Sequence, residues 1–253
     1  MENLDRQGQL AGGDPASQAD EMEQTARLRR DFDRESRLLT EVLTSFYGSA
    51  LASLYLDEMR GEFKALIPHI PRIGGKRSRY SRDAVGMSYG LALYRVLHAH
   101  GRSIDEAARV VHLLAREKLA SLPWPVRLAS RLLKALLCTR LGKRLFKARL
   151  RRQATRSQQQ PDAGGIVAIY VEGDGREFDC GIDITHCPLW DFYRAQGAGE
   201  FLRFVCMYDF LSSALSGTGL VRTMTLSEGA DRCDNRFRLG HMPENRQRTR
   251  MMA

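Results

Sequence analysis

The chain has 253 residues and a formal net charge of +9, with 43% hydrophobic and 27% charged residues. This length allows one large or two small domains, and this composition excludes a wholly disordered chain. No apolar stretch approaches the roughly 20 residues of a membrane-spanning helix, which excludes a membrane bundle. The polar opening MENLDRQGQL predicts no secretory signal, and therefore a cytoplasmic protein whose five cysteines are free thiols, ligands or nucleophiles.

The first half of the chain is predicted to be helical. Residues 1–25 are polar and rich in Gly, Ser and Gln, which is typical of a disordered leader. Helical spacing of apolar residues and helix-breaking residues then predict helices over 28–66 (interrupted at Gly48), 84–100 (ended by Gly101), 103–119 and 124–152 (interrupted near Gly142). Ser103 and Glu106 form a capping box at the start of the third of these helices.

The second half changes to strand-like patterns. After a linker over 158–165, the sequence predicts strands 166–173 and 177–184, helices 188–196 and 200–215, and a hairpin of strands 221–227 and 233–239. This order predicts an α+β fold, with an N-terminal helical part packed on a C-terminal antiparallel sheet with two buried helices. We expect a single domain over 26–240, with a helical half (26–157) and a mixed half (166–240), and a flexible tail over 241–253.

Cys187 is the first candidate for catalysis. Proline favours the first position of a helix, so Pro188 places Cys187 at a helix N-cap. The N–H groups and dipole of a helix start lower the pKa of a thiol, and the neighbouring His186 could add to this effect. The alternative is a small buried thiol with no chemical role.

Asp209 is the second candidate, together with Cys206. Both lie in EFLRFVCMYDFLSSAL, three residues apart on one face of a predicted helix that is apolar almost all round. A carboxylate on a buried helix is costly unless it is paired or used. Asp209 is therefore a candidate general acid or base, or a clamp for a cation, and the alternative is a structural ion pair with Arg203 or Arg222.

Arg222 is a candidate ligand for a substrate carboxylate. On the predicted strand 221–227 it shares the apolar face, which suits bidentate capture of an anion, although a structural pair with Asp209 or Asp183 explains it as well. On the facing strand, Cys233 and Asn235 are predicted on the same face as two apolar residues. The opposite, solvent-facing side is predicted to carry Asp234, Arg236 and Arg238.

Two positively charged segments remain. IPRIGGKRS (70–78) offers Lys76 beside two glycines for an anion, but it lacks P-loop spacing, and a glycine turn between helices is the simpler interpretation. From Lys118 to Pro161 there are twelve Lys or Arg and no Asp or Glu. The basic helix 124–152 is therefore a candidate contact for a partner or a membrane surface, although its Leu and Ala spacing favours a solvated face of a core-packed helix. We expect no nucleic-acid partner, and the sequence leaves the oligomeric state open.

The cysteines do not predict a metal site. Cys180, Cys187, Cys206 and Cys233 contain no CxxC pair, and His186 is adjacent to Cys187 rather than at ligand spacing. We therefore expect no metal and no cofactor.

Three stretches together resemble the L-2-amino-thiazoline-4-carboxylate hydrolase family: IPRIGGKRS, VEGDGREFDCGIDITHCPLWDFYRAQGAGEFLRFVCMYDF and GTGLVRTMTLSEGADRCDNRFRL. The resemblance covers about residues 60–240. Its specificity comes from the combination of a Cys before a helix, a CxxD helix, LVRTMT and EGADRCD. The chain departs from the family pattern at Asn235, where the usual residue is aromatic, and at Ser78. The C-terminal half is also distantly similar to ligand-binding domains of the vinyl-reductase type.

The resemblance implies hydrolytic opening of a cyclic isothiourea, the 2-amino-thiazoline ring. Its motif positions fall on Gly74, Gly75, Lys76, Cys187, Cys206, Asp209, Arg222, Thr223, Cys233 and Asp234. We expect Cys187, Asp209 and Cys206 to be catalytic. We expect a small substrate with a carboxylate to be bound by Arg222, Lys76, Cys233, Asn235 and Thr223.

The roles of these residues have alternatives. A Cys187 thiolate attacks the ring carbon, or an activated water attacks it and Cys187 only lines the pocket. Two other functions also fit the same scaffold, because function depends on the site rather than the fold. One is a biosynthetic enzyme that isomerises or cyclises a small molecule, and the other is a non-catalytic sensor of small molecules.

Overall fold

A computed structural model describes residues 15–71, 79–159 and 165–246. The first half contains helices α1 (Pro15–Leu66), α2 (Arg79–Ala99), α3 (Ile104–Ala120), α4 (Trp124–Leu137) and α5 (Arg140–Gln159). The second half contains β1 (Val167–Glu172), β2 (Cys180–His186), α6 (Pro188–Ala195), α7 (Gly199–Val205), α8 (Tyr208–Ser216), β3 (Leu220–Arg222), β4 (Cys233–Phe237) and β5 (Glu244–Asn245). The predicted α+β class is confirmed.

The N-terminal helices begin and end largely at the predicted breaks. Gly48 has a φ of 78° and interrupts α1, and Gly101 has a φ of 71° just after α2. The Ser103 side chain accepts a hydrogen bond from the Glu106 N–H at 3.2 Å, as an N-cap does. The helix α1 begins at Pro15, inside the segment 1–25 predicted as a disordered leader, because its Ala, Gln, Glu and Met residues favour a helix despite the low apolar content.

The sheet has the order β1-β2-β4-β3-β5. Neighbouring strands are antiparallel except for β5, which runs parallel to β3 and pairs Glu244 with Val221. The sheet is thus antiparallel, as predicted, except at the edge formed by β5. The strand β5 also lies within the segment 241–253 that was predicted as a flexible tail, since its backbone pairs with β3.

One hydrophobic core joins the two halves of the chain. The helices α2 and α3 pack on α7, and the ring of Tyr94 stacks on that of Phe201 at 4.3 Å. The buried Tyr193 hydroxyl on α6 donates to the Met87 carbonyl at 2.7 Å. The helix α5 instead packs across β1 and β2. The helical part therefore contacts the sheet through α5, while α2 and α3 contact the C-terminal helices.

Three of the predicted elements are interrupted where side chains or turns compete with regular structure, and an interruption was predicted only for the basic helix, near Gly142. The predicted helix 200–215 is two helices that meet at Cys206 and Met207. The basic helix breaks at Thr139, whose hydroxyl accepts from the Gly142 N–H at 3.0 Å and so begins α5. The predicted strand 221–227 ends already at Arg222, and a short 3₁₀ turn follows at Leu226–Glu228.

Candidate active site

A cavity of about 520 Å³ lies between the sheet, α5 and α8. This volume is in the range of small-molecule sites. Six of the predicted site residues line it: Cys187, Cys206, Asp209, Arg222, Cys233 and Asn235. Thr223 is not among the lining residues, and Lys76, with Gly74 and Gly75, lies outside the described residues.

Cys187 occupies the predicted N-cap of α6, with Pro188 as the first helical residue. Its carbonyl accepts from the N–H of Trp190 at 2.9 Å. The predicted lowering of its pKa is wrong in direction: burial raises the pKa of the Cys187 thiol, and this outweighs the lowering by the N–H groups of Trp190 and Leu189. His186 pairs instead with Asp191, with Nδ1 and Oδ2 3.5 Å apart.

Arg222 is the central buried charge of the site, with its side chain only 2% exposed. Its Nη1 donates to Asp209 Oδ2 at 2.8 Å and its Nη2 donates to the Cys206 carbonyl at 2.9 Å. That carbonyl is accessible because α7 ends there. Burial is the largest single influence on the pKa of Arg222 and lowers it, but Asp209, Cys206 and Cys233 together raise this pKa by more, so the guanidinium stays charged.

Asp209 is oriented by Arg222 and still reaches the cavity. Its side chain is 42% exposed, and only Oδ2 is bound to Arg222. Within the described part of the chain, Oδ1 has no hydrogen-bond partner. Of the two predicted alternatives, the pair with Arg222 is therefore present, and the carboxylate also remains available to a ligand.

The other two thiols of the cavity are protonated at neutral pH. Burial raises the pKa of Cys233 to about 11 and raises that of Cys206 as well. Cys233 Sγ accepts from the Leu226 N–H at 3.4 Å, which ties the 3₁₀ turn to β4. These thiols are suited to lining the cavity and to weak hydrogen bonding.

Asp234 is not on a solvent-facing side, as the sequence predicted, but buried. Its carboxylate accepts from the N–H groups of Thr223 and Met224, each at 2.8 Å, and from the Thr223 hydroxyl. The reason is that β3 stops at Arg222, so the chain turns and its free N–H groups meet this carboxylate. Thr223 is thus held by Asp234, while Asn235, on the other face of β4, has a buried Oδ1 without a partner among the described residues.

A sequence model described as L-2-amino-thiazoline-4-carboxylic acid hydrolase matches residues 91–237, more than half of the chain. The chain belongs to this family. The matched range includes the three cavity cysteines, Asp209 and Arg222, and it supports a hydrolase in general terms. No protein with a curated description and no solved structure matches the chain.

The helix α5 forms one wall of the cavity, and the sequence analysis did not predict this. Leu150, Gln153, Ala154 and Ser157 line the cavity at helical spacing, together with Arg156. The Ala168 N–H donates to the Ser157 hydroxyl at 3.0 Å, which fixes α5 on β1. Among the described residues that line the cavity, the two cations are Arg222 and Arg156. The Leu and Ala spacing of the basic stretch predicts a core-packed helix with a solvated face, but it does not predict that this helix lines a cavity.

The described residues of this family member contain no group of three or more His, Cys, Asp or Glu side chains placed to hold a metal ion.

Proposed function

We propose that the chain opens a 2-amino-thiazoline ring, or a closely related cyclic isothiourea, by hydrolysis of a ring C–N bond. The observation that carries this proposal is one cavity, in a member of this hydrolase family, that contains both the N-cap thiol of Cys187 and the carboxylate of Asp209. A nucleophile beside an acid–base group is what attack on the ring carbon requires.

Asp209 supports binding of the substrate as a cation. The ring carbon between sulfur and two nitrogens becomes electrophilic when the amidine-like unit is protonated. The free Oδ1 of Asp209 pairs with that cation, while Oδ2 is held by Arg222. Arg222 is then a positioning residue, since both of its Nη atoms already donate hydrogen bonds to protein groups.

The thiol of Cys187 acts in the covalent step. Its raised pKa means that it is neutral in the empty site, so its proton must leave as the bond forms. The proton passes to Asp209, Sγ bonds to the ring carbon, and the ring C–N bond breaks as the nitrogen takes a proton from Asp209. Water then adds to the same carbon, the C–Sγ bond breaks, and the proton returns to Cys187. The net change is the addition of one water to the substrate.

Mass spectrometry of the purified protein with L-2-amino-thiazoline-4-carboxylate tests this function. We expect the substrate to gain the mass of one water, with repeated turnover. Heat-denatured protein is the control for spontaneous ring opening. An unchanged substrate that stays bound in stoichiometric amount contradicts hydrolysis and favours the sensor function.

The size of the cavity favours a second candidate function. The 2-amino-thiazoline ring with its carboxylate fills only part of about 520 Å³, and Ile182, Ile184 and Phe237 give the cavity an apolar wall. A biosynthetic enzyme that isomerises or cyclises a larger ring-containing molecule would use this space. Turnover of such a molecule without the addition of water would support this alternative.

Arg156 is proposed to hold the substrate carboxylate. We expect Arg156→Gln to raise KM about tenfold with little change in kcat, since a charge-assisted hydrogen bond to the ground state is lost. Steady-state kinetics measure both constants. Arg152→Gln is the matched control, because Arg152 is also exposed on α5 but does not line the cavity. An unchanged KM in Arg156→Gln would contradict this role.

A further inference from the structure

Large apolar side chains lie exposed along α4 and the first turns of α5. Eight of the fourteen exposed large apolar residues in the described part of the chain fall between residues 124 and 145, so they are clustered rather than scattered. Trp124 is 69% exposed, Leu132 63% and Leu141 62%. The α4–α5 strip is defined here as Trp124, Leu128, Leu132, Leu136, Leu141 and Leu145.

Unlike an ordinary surface helix, α4 leaves its large apolar side chains exposed, with the exception of Leu137, which is buried. Trp124, Leu128, Leu132 and Leu136 recur every four residues, so they share one side of the helix, and that side is exposed. On the other side Lys134 packs on the backbone at Gly217, where an added Cβ would lie 2.5 Å from Lys134 Cγ. A surface helix normally buries its apolar face and exposes its polar one. We therefore expect the exposed apolar side of α4 to bind a partner outside this chain.

The charge around the strip selects the kind of partner. Arg127, Arg131, Arg140 and Arg144 are exposed beside the apolar residues, and none has an acidic partner among the residues that the structure describes. The segment from 118 to 161 contains no acidic residue at all. A second copy of the strip would bring these positive charges together, which is unfavourable. A nucleic acid would satisfy the arginines but leave the leucines exposed to water.

We propose that the α4–α5 strip binds the surface of an anionic lipid bilayer. An amphipathic helix with Leu and Trp on one side and Arg beside them lies in the interface plane, with its apolar side among the acyl chains and its charges on anionic headgroups. Trp124, at the start of α4, fits the headgroup level, where tryptophan is enriched. None of the described helices is long and apolar enough to span a bilayer, so the contact proposed is peripheral.

Flotation with lipid vesicles tests this surface. The full chain is mixed with vesicles of phosphatidylcholine alone or with 40% phosphatidylglycerol, and we expect at least tenfold stronger binding to the anionic vesicles. The chain has two tryptophans, so Trp190→Phe leaves Trp124 as the only reporter. Its emission maximum is expected to shift to shorter wavelength when anionic vesicles are added.

Leu128→Gln/Leu132→Gln is expected to weaken binding to anionic vesicles at least tenfold, and Arg127→Gln/Arg131→Gln to abolish the preference for phosphatidylglycerol. Leu51→Gln/Leu54→Gln is the matched control, because these leucines are also exposed but lie on α1. All these positions are exposed, so circular dichroism is expected to be unchanged.

Equal binding to both vesicle types, absent binding, or full binding by the Leu128→Gln/Leu132→Gln variant would overturn the proposal. A dimer in light scattering that Leu132→Gln dissociates would also overturn it, because a second copy would then cover the strip. These outcomes are independent of whether the chain hydrolyses a 2-amino-thiazoline ring.

Discussion

Replacing Cys187 by alanine is expected to lower turnover of L-2-amino-thiazoline-4-carboxylate by about a thousandfold or more, because the attacking atom is lost. The side chain is small and sits at the start of α6, where Pro188 and the N–H groups still begin the helix, so the fold is expected to persist. Single-turnover kinetics and a melting curve of the variant measure the two effects separately.

The pH profile provides a second readout of the same residue. Burial places the pKa of the Cys187 thiol above its ordinary range, so the thiolate fraction of the free enzyme keeps rising with pH beyond the ordinary thiol pKa of about 8.5. Because the proposed step uses the neutral thiol and delivers its proton to the ring nitrogen through Asp209, we expect kcat/KM to stay level from about pH 7 through about 8.5 and to fall at higher pH, as the thiol ionises. Profiles of the wild type and of Cys138→Ala should coincide, since Cys138 is exposed and does not line the cavity.

Two results would contradict a nucleophilic Cys187. Turnover of Cys187→Ala within tenfold of the wild type would mean that water attacks the ring carbon and that the thiol only lines the cavity. A kcat/KM that rises steadily between pH 7 and 10 would lead to the same conclusion, because it would indicate attack by hydroxide rather than by the neutral thiol. In either case Asp209 would remain the group that moves protons, so hydrolysis itself would still stand.

Local signals in the sequence predicted much of the fold. The capping residue Ser103, the stop at Gly101 and the pair Cys187–Pro188 all act within one turn of a helix, and all three are in the predicted places. The period of apolar residues likewise predicted the one face of β4 that brings Cys233 and Asn235 to the cavity. Such features depend only on residues that are close in sequence, so they can be predicted from a single sequence.

Features that depend on distant partners were not predictable in the same way. The sequence predicted either Arg203 or Arg222 as the ionic partner of Asp209. Only the packing of α8 on β3 shows that it is Arg222, whose Nη1 lies 2.8 Å from Asp209 Oδ2. The thiol of Cys187 has the helix start that was expected, yet burial by other elements reverses the direction of its pKa shift. Asp234 is buried because a strand ends early, and α5 covers the cavity because it packs across β1. In each case the decisive neighbour is far away in sequence.

Asp209→Asn is expected to lower the free energy of unfolding by about 3 kcal/mol, because it leaves the buried Arg222 guanidinium without a counter-ion. This estimate is at the low end for a buried pair, since Asp209 is 42% exposed and water compensates part of the loss. Arg222→Met removes the charge itself, and the freed carboxylate of Asp209 can be hydrated from the cavity. The double variant Asp209→Asn/Arg222→Met is therefore expected to be more stable than Asp209→Asn alone.

Urea denaturation of the wild type, both single variants and the double variant measures this coupling. Asp191→Asn is the matched control, since its carboxylate is 55% exposed and its ionic partner among the described residues is His186, so we expect a change below about 1 kcal/mol. Turnover should fall in all three site variants, including Arg222→Met, because Asp209 is then no longer held in the orientation that Nη1 imposes. If Asp209→Asn were as stable as the wild type, or the double variant no more stable than Asp209→Asn, the buried charge of Arg222 would not depend on Asp209. Some group other than Arg222 would then have to orient the Asp209 carboxylate in the cavity.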